Sequence, residues 1–359
     1  MNGATRLDPE ALGVPFATVR AQVAEGTVPF AILGVANAAG TIRLETMAAP
    51  GSVPVPLDAP CLIASITKPI VATVAMRLHA EGRFLLEAPL AWWIPELATP
   101  TARALTGWHV LTHTSGMDDT WLERIMAEGI EKEDLLTRFL GAPLGAPVGS
   151  RYAYASITFD LLALAIERAL RTPFTAILCE TVLDPLGMTR TSWEPDPGQA
   201  VPFEVQTWLD EWTPGPRLHR ATAEAQRQRL VRLRLAGAGL HSTADDLLRF
   251  GRAFLRRGEL DGRRILGPTF VDLMTREVTW DGIGRSEDRL RDAHYAIGWA
   301  KPGRTDPFSS TAFQHAGATG TRLVVDPAHD LVIVYLTGVW GLPWEVLDAP
   351  ILGIYAALR

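Results

Sequence analysis

The segment that decides how this chain is interpreted reads Ala64-Ser65-Ile66-Thr67-Lys68-Pro69. It places a lysine three residues after a serine, and positions i and i+3 share one face of a helix. An amine at this spacing can take the hydroxyl proton and so turn a weak serine into a nucleophile. Arginine could not do this, because a guanidinium stays protonated whereas a desolvated lysine can lose its proton near neutral pH. Ser65 and Lys68 are therefore a candidate nucleophile and base.

Lysine is rare in this chain, which makes its position near Ser65 informative. The 34 basic residues include only three lysines, namely Lys68, Lys132 and Lys301, and the rest are arginines. The motif alone has a simpler explanation, in which Ser65 begins a helix and Lys68 is a solvated side chain. Other segments of the chain have to decide between the two interpretations.

Length, charge and composition argue against several classes of protein. A chain of 359 residues with a net charge of −6 and no basic stripe gives no reason to expect a nucleic-acid partner. The first eight residues lack a signal-peptide pattern, and no uncharged apolar run reaches the roughly 18–20 residues that span a membrane. Cys61 and Cys179 form no metal or redox motif. We therefore expect a cytoplasmic protein with no membrane association, no metal and no cofactor.

The spacing of apolar residues predicts where helices and strands occur. Helical spacing is found in segments spread along the chain, over residues 8–26, 65–82, 159–170, 245–257 and 344–358. Runs that are typical of strands cover residues 28–36, 41–47, 295–301, 312–315, 321–326 and 331–337. Between the second and the third of these runs, helices and loops dominate.

These elements predict an α+β fold with two parts. Residues 1–83 and 238–359 would together form an antiparallel sheet, flanked by helices from both ends of the chain. Residues 84–237 would form a mostly helical lobe beside the sheet. The helix predicted at 65–82 would carry Ser65 at its N-terminus, where backbone N–H groups favour developing negative charge.

Two further segments complete a candidate site with Ser65 and Lys68. The first, Tyr154-Ala155-Ser156, precedes the helix predicted at 159–170, and the second, His315-Ala316-Gly317, falls on a predicted strand. Accessory segments in chain order are Leu111-Thr112-His113-Thr114-Ser115-Gly116-Met117, Pro185-Leu186-Gly187-Met188, Ala236-Gly237-Ala238-Gly239-Leu240-His241-Ser242-Thr243 and Ile297-Gly298-Trp299. Each segment alone is a weak signal, but their common order is specific.

In this order and spacing, the chain resembles the serine β-lactamase and penicillin-binding-protein superfamily over roughly residues 8–357. It looks most like the class C-like branch, which includes family VIII carboxylesterases, D-aminopeptidases and related serine hydrolases. The resemblance implies a β-lactamase/transpeptidase-like fold and catalysis through an acyl-enzyme without a cofactor. The partner would be a small-molecule ester or amide.

The resemblance also implies a role for each residue of the site. Ser65 would be the nucleophile and Lys68 the group that takes its proton. Tyr154, from the helical lobe, would be a second base or the acid that protonates the leaving group; which of Lys68 and Tyr154 is the base stays open. The backbone N–H groups of Ser65 and Ala318 would form the oxyanion hole, and Gly317 would let the substrate approach the backbone closely.

Two positions depart from the pattern of the β-lactamases. Ser156 stands where the Tyr-x-Asn motif has asparagine, and its hydroxyl is shorter and lacks the amide. His315 stands where β-lactamases have the lysine of Lys-Thr-Gly, and it supplies less fixed positive charge for a substrate carboxylate. We expect both side chains to contact substrate, and both changes favour esters or neutral amides over penicillins.

Tryptophan is frequent, with 11 in the chain, and two of these residues, Trp212 and Trp340, are candidates for substrate binding. The simpler interpretation is that they pack in the core or the lobe. The sharper hypothesis is that they line an aromatic acyl pocket near Ser65 and favour apolar acyl or alcohol groups.

We therefore predict a serine hydrolase, and most specifically a carboxylesterase on small to medium esters. The alternatives with the same chemistry are a D-aminopeptidase, an amidase or a weak class C-like β-lactamase. The alternative from another class is a non-catalytic penicillin-recognising module that binds a ligand or assembles with itself. The full set of Ser65, Lys68 and Tyr154 argues against that alternative, since a binding module does not need it.

Overall fold

The structure, a computed structural model, describes residues 7–49, 54–119, 144–196, 198–201, 231–278, 294–303 and 305–359, with a few isolated positions between these ranges. Its strands are β1 (Phe30–Ala36), β2 (Thr41–Ala48), β3 (Cys61–Leu62), β4 (Arg151–Tyr152), β5 (Glu204–Val205), β6 (His241–Ser242), β7 (Glu259–Leu260), β8 (Arg263–Arg264), β9 (Gly284–Arg285), β10 (Phe313–Gly317), β11 (Thr321–Asp326), β12 (Leu331–Leu336) and β13 (Val339–Trp340). Its α-helices are α1 (Gly13–Ala24), α2 (Thr67–Ala80), α3 (Gly107–Leu111), α4 (Thr158–Leu170), α5 (Phe174–Leu178), α6 (Asp184–Leu186), α7 (Ala244–Leu255), α8 (Pro268–Thr275) and α9 (Trp344–Ala356).

The main sheet joins the two ends of the chain. Its strand order is β10–β11–β12–β1–β2, and neighbouring strands are antiparallel. The central strand β1 pairs with β2 in a hairpin and with β12 near the C-terminus, where Ile32 lies opposite Leu336. Leu7 forms an antiparallel bridge with Leu358. The predicted sheet, completed by N- and C-terminal segments, is therefore confirmed.

Both faces of this sheet are covered by helices. Side chains alternate along a strand, so Leu33 and Val35 of β1 belong to one buried cluster whereas Ile32 and Ala36 belong to another. The first cluster includes residues of α1 and α9, and the second includes residues of α2, α7 and the lobe. β1 is therefore apolar along its whole length, as is typical of a strand buried on both faces.

Helix α2 connects the sheet to the helical lobe. Nearly all of its residues are buried, including Ile70 and Val74 on one side and the polar Lys68 and Thr73. The apolar cluster that contains α2 continues into α4, for example at Leu162. Helix α2 therefore lies in the interior of the protein. The boundaries that we predicted for the lobe, at residues 84 and 237, stay a prediction.

Two elements differ from the prediction for identifiable reasons. Helix α1 begins at Gly13 rather than near residue 8, because the Asp8 N–H donates to the Ala357 carbonyl over 2.9 Å and is held beside the C-terminus. Residues 295–301 form isolated β-bridges rather than a strand. The reason is Gly298, whose φ of +74° reverses the chain at that point.

Among the described residues, no helix is long and apolar enough to cross a membrane.

Candidate active site

Ser65 lies in a tight turn directly before α2. The turn, Ala64–Ile66, is 3₁₀-helical, so Ser65 precedes the α-helix instead of starting it. Ala64 has a φ of +45°, a left-handed conformation that is unfavourable for a residue with a Cβ. Strain of this kind persists where the surrounding structure enforces it, and it is common at functional sites.

Contacts from the sheet hold this turn. Thr319 Oγ1 donates to the Leu62 carbonyl over 2.5 Å, and Thr321 Oγ1 donates to the Ile63 carbonyl over 3.2 Å. At Gly317, a Cβ would lie 2.3 Å from the Ile63 carbonyl oxygen, which is closer than real Cβ atoms come. The chain's own backbone therefore requires glycine at this position, whereas the close approach of substrate stays a prediction.

Ala318 follows the last residue of β10, and this end of the strand packs against the Ser65 turn. Ala318 is exposed although its neighbours Gly317 and Thr319 are buried. Its carbonyl accepts a hydrogen bond from the Gly341 N–H over 2.8 Å, which holds the segment in place. Ala318 is therefore exposed at the end of the strand that contacts the Ser65 turn, as an oxyanion-hole residue needs.

The Lys68 amine is fully buried and has three polar contacts. Its Nζ lies 3.0 Å from Ser65 Oγ, 3.0 Å from Ser156 Oγ and 2.9 Å from the Gly237 carbonyl oxygen. The predicted spacing thus brings the amine and the hydroxyl within hydrogen-bonding distance. The solvated surface lysine that we considered as the simpler interpretation is wrong.

Burial lowers the pKa of Lys68 to about 7, while the negative charges of Asp119 and Asp160 act in the opposite direction. A large fraction of the amine is therefore neutral at physiological pH. A neutral amine has a lone pair, which can accept the Ser65 proton.

Tyr154 lies beside the same amine. The centroid of its ring is 4.5 Å from Lys68 Nζ. Burial raises the pKa of Tyr154 well above its ordinary value, and the charge of Asp119 adds to this, whereas hydrogen bonds with Ser65 and Ser156 act against it. The phenol is therefore protonated at neutral pH and can donate a proton.

His113 shapes the segment that carries Tyr154. Its carbonyl accepts from the Ala153 N–H over 2.8 Å, and its Nδ1 accepts from the Ala155 N–H over 3.1 Å. Its ring packs against Tyr154 with 4.3 Å between centroids. These contacts hold the segment that carries Tyr154 in place.

Ser156 has a partner that sequence reasoning missed. Its N–H donates to Asp119 Oδ1 over 2.5 Å, and its hydroxyl donates to Asp119 Oδ2 over 2.8 Å. Burial raises the pKa of Asp119, while the Lys68 charge and the two hydrogen bonds act against this rise. The only feature of the sequence that draws attention to Asp119 is its position three residues after the His113–Gly116 motif. Nothing in the sequence links Asp119 to Ser156.

His315 is held as a neutral imidazole. Its Nδ1 lies 2.9 Å from the Ala316 carbonyl oxygen and therefore carries the proton, while its Nε2 lies 3.0 Å from the Tyr295 hydroxyl and accepts from it. Burial lowers the pKa of His315 to about 3, and the positive charge of Lys68 adds to this. His315 thus supplies no fixed positive charge at neutral pH.

Of the two tryptophans proposed to bind substrate, the structure describes Trp340. Trp340 is half-buried on β13 and packs against the larger apolar cluster. Its neighbour Gly341 bonds to Ala318, so Trp340 lies next to the predicted oxyanion segment. Trp212 lies outside the described residues.

The described residues contain no group of three or more His, Cys, Asp and Glu side chains that could hold a metal ion.

Comparison with known proteins identifies the family of this chain. The Beta-lactamase family matches residues 17–356. Esterase EstB of Burkholderia gladioli is 30% identical over 311 residues, which cover 77% of this chain and 76% of EstB. Protein Rv1367c of Mycobacterium tuberculosis is 31% identical over 329 residues, covering 79% of this chain and 78% of that protein.

A solved structure extends the match to the fold. EstCE1, described as a hydrolase with promiscuous acyltransferase activity, superposes with a TM-score of 0.80 at 19% identity and covers 97% of this chain and 98% of its own. The predicted β-lactamase/transpeptidase-like fold is therefore confirmed. With the family match over residues 17–356 and its esterase relative, the chain belongs to the serine β-lactamase and penicillin-binding-protein superfamily and is a serine hydrolase.

Proposed function

We propose that this protein is a carboxylesterase in which Ser65 is the nucleophile and Lys68 the general base. The observation that carries the proposal is the 3.0 Å contact between Lys68 Nζ and Ser65 Oγ, made by a buried amine with a pKa of about 7. A general base works best when its pKa lies near the operating pH. The raised pKa of Tyr154 supports the assignment, because a protonated phenol is an acid rather than a base.

The first half of the reaction forms the acyl-enzyme. Ser65 Oγ attacks the ester carbonyl carbon while its proton moves to Lys68 Nζ. The backbone N–H groups of Ser65 and Ala318 stabilise the negative charge on the carbonyl oxygen. When the ester C–O bond breaks, the Tyr154 hydroxyl gives its proton to the departing alkoxide and regains one from the Lys68 ammonium.

The second half releases the acid. Lys68 takes a proton from water, whose oxygen attacks the acyl carbon in the same oxyanion hole. The bond from that carbon to Ser65 Oγ breaks, and the proton on Lys68 returns to the serine. The Ser65 hydroxyl and the neutral Lys68 amine are then both restored.

Two features favour neutral esters over β-lactams and peptides that end in a carboxylate. His315, at the position of a lysine in β-lactamases, is neutral and its two ring nitrogens are already engaged. Ser156 offers a hydroxyl where that motif offers an amide, and this hydroxyl faces Lys68 and Asp119. The likeness to EstB, whose name is that of an esterase, supports the same class of substrate.

The test is a substrate panel with the wild type and Ser65→Ala. We expect p-nitrophenyl acetate and butyrate to be hydrolysed, and the variant to lose about 10⁴-fold or more in kcat/KM. D-Alanine amide and nitrocefin should turn over far more slowly. A folded Ser65→Ala protein with wild-type turnover would refute the serine mechanism, and a clear preference for the amide or for nitrocefin would replace the esterase by an amidase or a β-lactamase.

A further inference from the structure

Asp119 determines which way the Ser156 hydroxyl points. A carboxylate only accepts hydrogen bonds, and the two oxygens of Asp119 accept from the Ser156 N–H and from the Ser156 O–H. The hydroxyl proton is therefore directed at Asp119. The lone pairs of Ser156 Oγ are left for other donors, and Lys68 Nζ lies 3.0 Å away.

This direction decides how the neutral Lys68 amine can orient. A neutral amine has two N–H donors and one lone pair. The Gly237 carbonyl can only accept, and Ser156 Oγ is made an acceptor by Asp119, so these two partners take both N–H groups. The third partner, Ser65 Oγ at 3.0 Å, is left facing the lone pair.

We propose that Asp119 is a positioning residue, which fixes the Ser156 hydroxyl as an acceptor and thereby aims the Lys68 lone pair at the Ser65 proton. Ser156 and Asp119 together thus do for Lys68 what a side-chain carbonyl would do at position 156. The proposal rests on the proposed function, since it assigns Lys68 as the base.

Asp119 also sets part of the electrostatic environment of Lys68. The other titratable groups near the amine are the carboxylate of Asp160, the phenol of Tyr154 and the imidazoles of His113 and His315. Burial lowers the pKa of both imidazoles. The negative charge of Asp119 raises the pKa of Lys68 against the effect of burial. Removing that charge should therefore lower this pKa.

The variant Asp119→Asn tests whether Asp119 orients the Ser156 hydroxyl or only holds the loop of Ser156 in place. The amide has one acceptor oxygen, so it cannot accept from both donors of Ser156, and its NH₂ group would then face one of them. If the NH₂ group of the new amide faces Ser156 Oγ, the Ser156 hydroxyl would donate its proton to the Lys68 amine. The lone pair of Lys68 would then no longer be free to accept the Ser65 proton. We expect the plateau rate to fall about tenfold and the rise of activity with pH to shift to lower pH.

The experiment measures the second-order rate of Ser65 labelling by an uncharged fluorophosphonate between about pH 5 and 9, a range that brackets the titration of the base. The wild type should rise with a midpoint near the Lys68 pKa of about 7. Ser156→Ala should lower the plateau without moving the midpoint down, since it removes the acceptor but keeps the Asp119 charge. The matched control is Asp118→Asn, which makes the same change at the adjacent, more exposed carboxylate and should match the wild type.

The outcomes separate the two proposals. An unlabelled wild type refutes the proposed function. A labelled wild type with an unchanged plateau in Asp119→Asn refutes the positioning role. A lower plateau in Asp119→Asn together with a wild-type plateau in Ser156→Ala also refutes it, because Asp119 can hold the loop through the Ser156 N–H without the Ser156 hydroxyl. If thermal melting shows that Asp119→Asn is unfolded, Ser156→Ala decides, and a wild-type plateau in that variant refutes the role.

Discussion

The wall of the site that faces the oxyanion and the wall that holds the base are fastened by different kinds of contact. The oxyanion wall, formed by the turn Ala64–Ile66 and the end of β10, is held by two threonine hydroxyls that donate to main-chain carbonyls, and it requires the absence of a side chain at Gly317. The base wall, formed by Lys68, Ser156 and Asp119, is held by hydrogen bonds of the ionisable side chains of Lys68 and Asp119.

The two walls should therefore fail in different ways. The oxyanion wall leaves no room for a side chain at Gly317, so even an added methyl group should displace it. The base wall depends on which atoms donate and which accept, so changing one polar atom should break it while the shape is kept. Each of the following experiments tests one side of this difference.

The largest effect is expected in the base wall, from Lys68→Met. Methionine keeps the length of the side chain but has no proton acceptor of comparable strength, so kcat/KM for p-nitrophenyl esters should fall about 10³-fold. The matched control is Lys301→Met, which removes a partly buried amine that donates to the Ala312 carbonyl over 2.6 Å. Activity retained in Lys68→Met would contradict the assignment of the base, and an equal loss in Lys301→Met would show that the effect is not local.

A smaller effect is expected in the oxyanion wall, from Gly317→Ala. The new Cβ would lie 2.2 Å from Thr321 Oγ1 and 2.3 Å from the Ile63 carbonyl oxygen, so β10 has to move away from the Ser65 turn. We expect kcat/KM to fall about 10²-fold, the loss associated with one oxyanion donor. The midpoint of the activity–pH profile should not move, because the base wall is unchanged.

Gly40→Ala is the control for this substitution, since a Cβ at Gly40 would meet nothing within 4 Å. It should leave both activity and thermal stability close to the wild type. A Gly317→Ala enzyme with wild-type kcat/KM would mean that the oxyanion wall tolerates displacement.

The smallest effect is expected from Trp340→Ala, at the border of the oxyanion wall. If Trp340 lines the acyl pocket, its loss should lower the preference for butyrate over acetate esters by up to about 15-fold, because butyrate has two more methylenes and each is worth about 0.8 kcal/mol when buried. Trp92→Ala is the control, since Trp92 is 69% exposed. An unchanged ratio of the two kcat/KM values in Trp340→Ala would reduce Trp340 to a packing residue.

What the sequence predicted well was local or periodic. The strands β11 and β12 were found from their apolar runs, because a strand buried on both faces leaves a continuous signal. The contact between Ser65 and Lys68 was found because three residues in a helical turn fix the distance between their side chains.

What the sequence could not predict depends on contacts between distant segments. Asp119 and Ser156 are 37 positions apart and meet only because the His113 turn folds back on the Tyr154 segment. The orientation of the His315 ring depends on a hydrogen bond with Tyr295, whose position follows from the reversal at Gly298. In both pairs the residues are too far apart in the sequence for helix or strand geometry to predict their contact.

The pairing of β1 with β12 has a consequence for synthesis on the ribosome. β1 ends at residue 36, whereas β12 begins at residue 331. At about 5–20 residues per second, the hairpin of β1 and β2 emerges tens of seconds before the strand that covers its open edge. Nascent chains of this protein should therefore need protection from edge-to-edge aggregation for most of their translation.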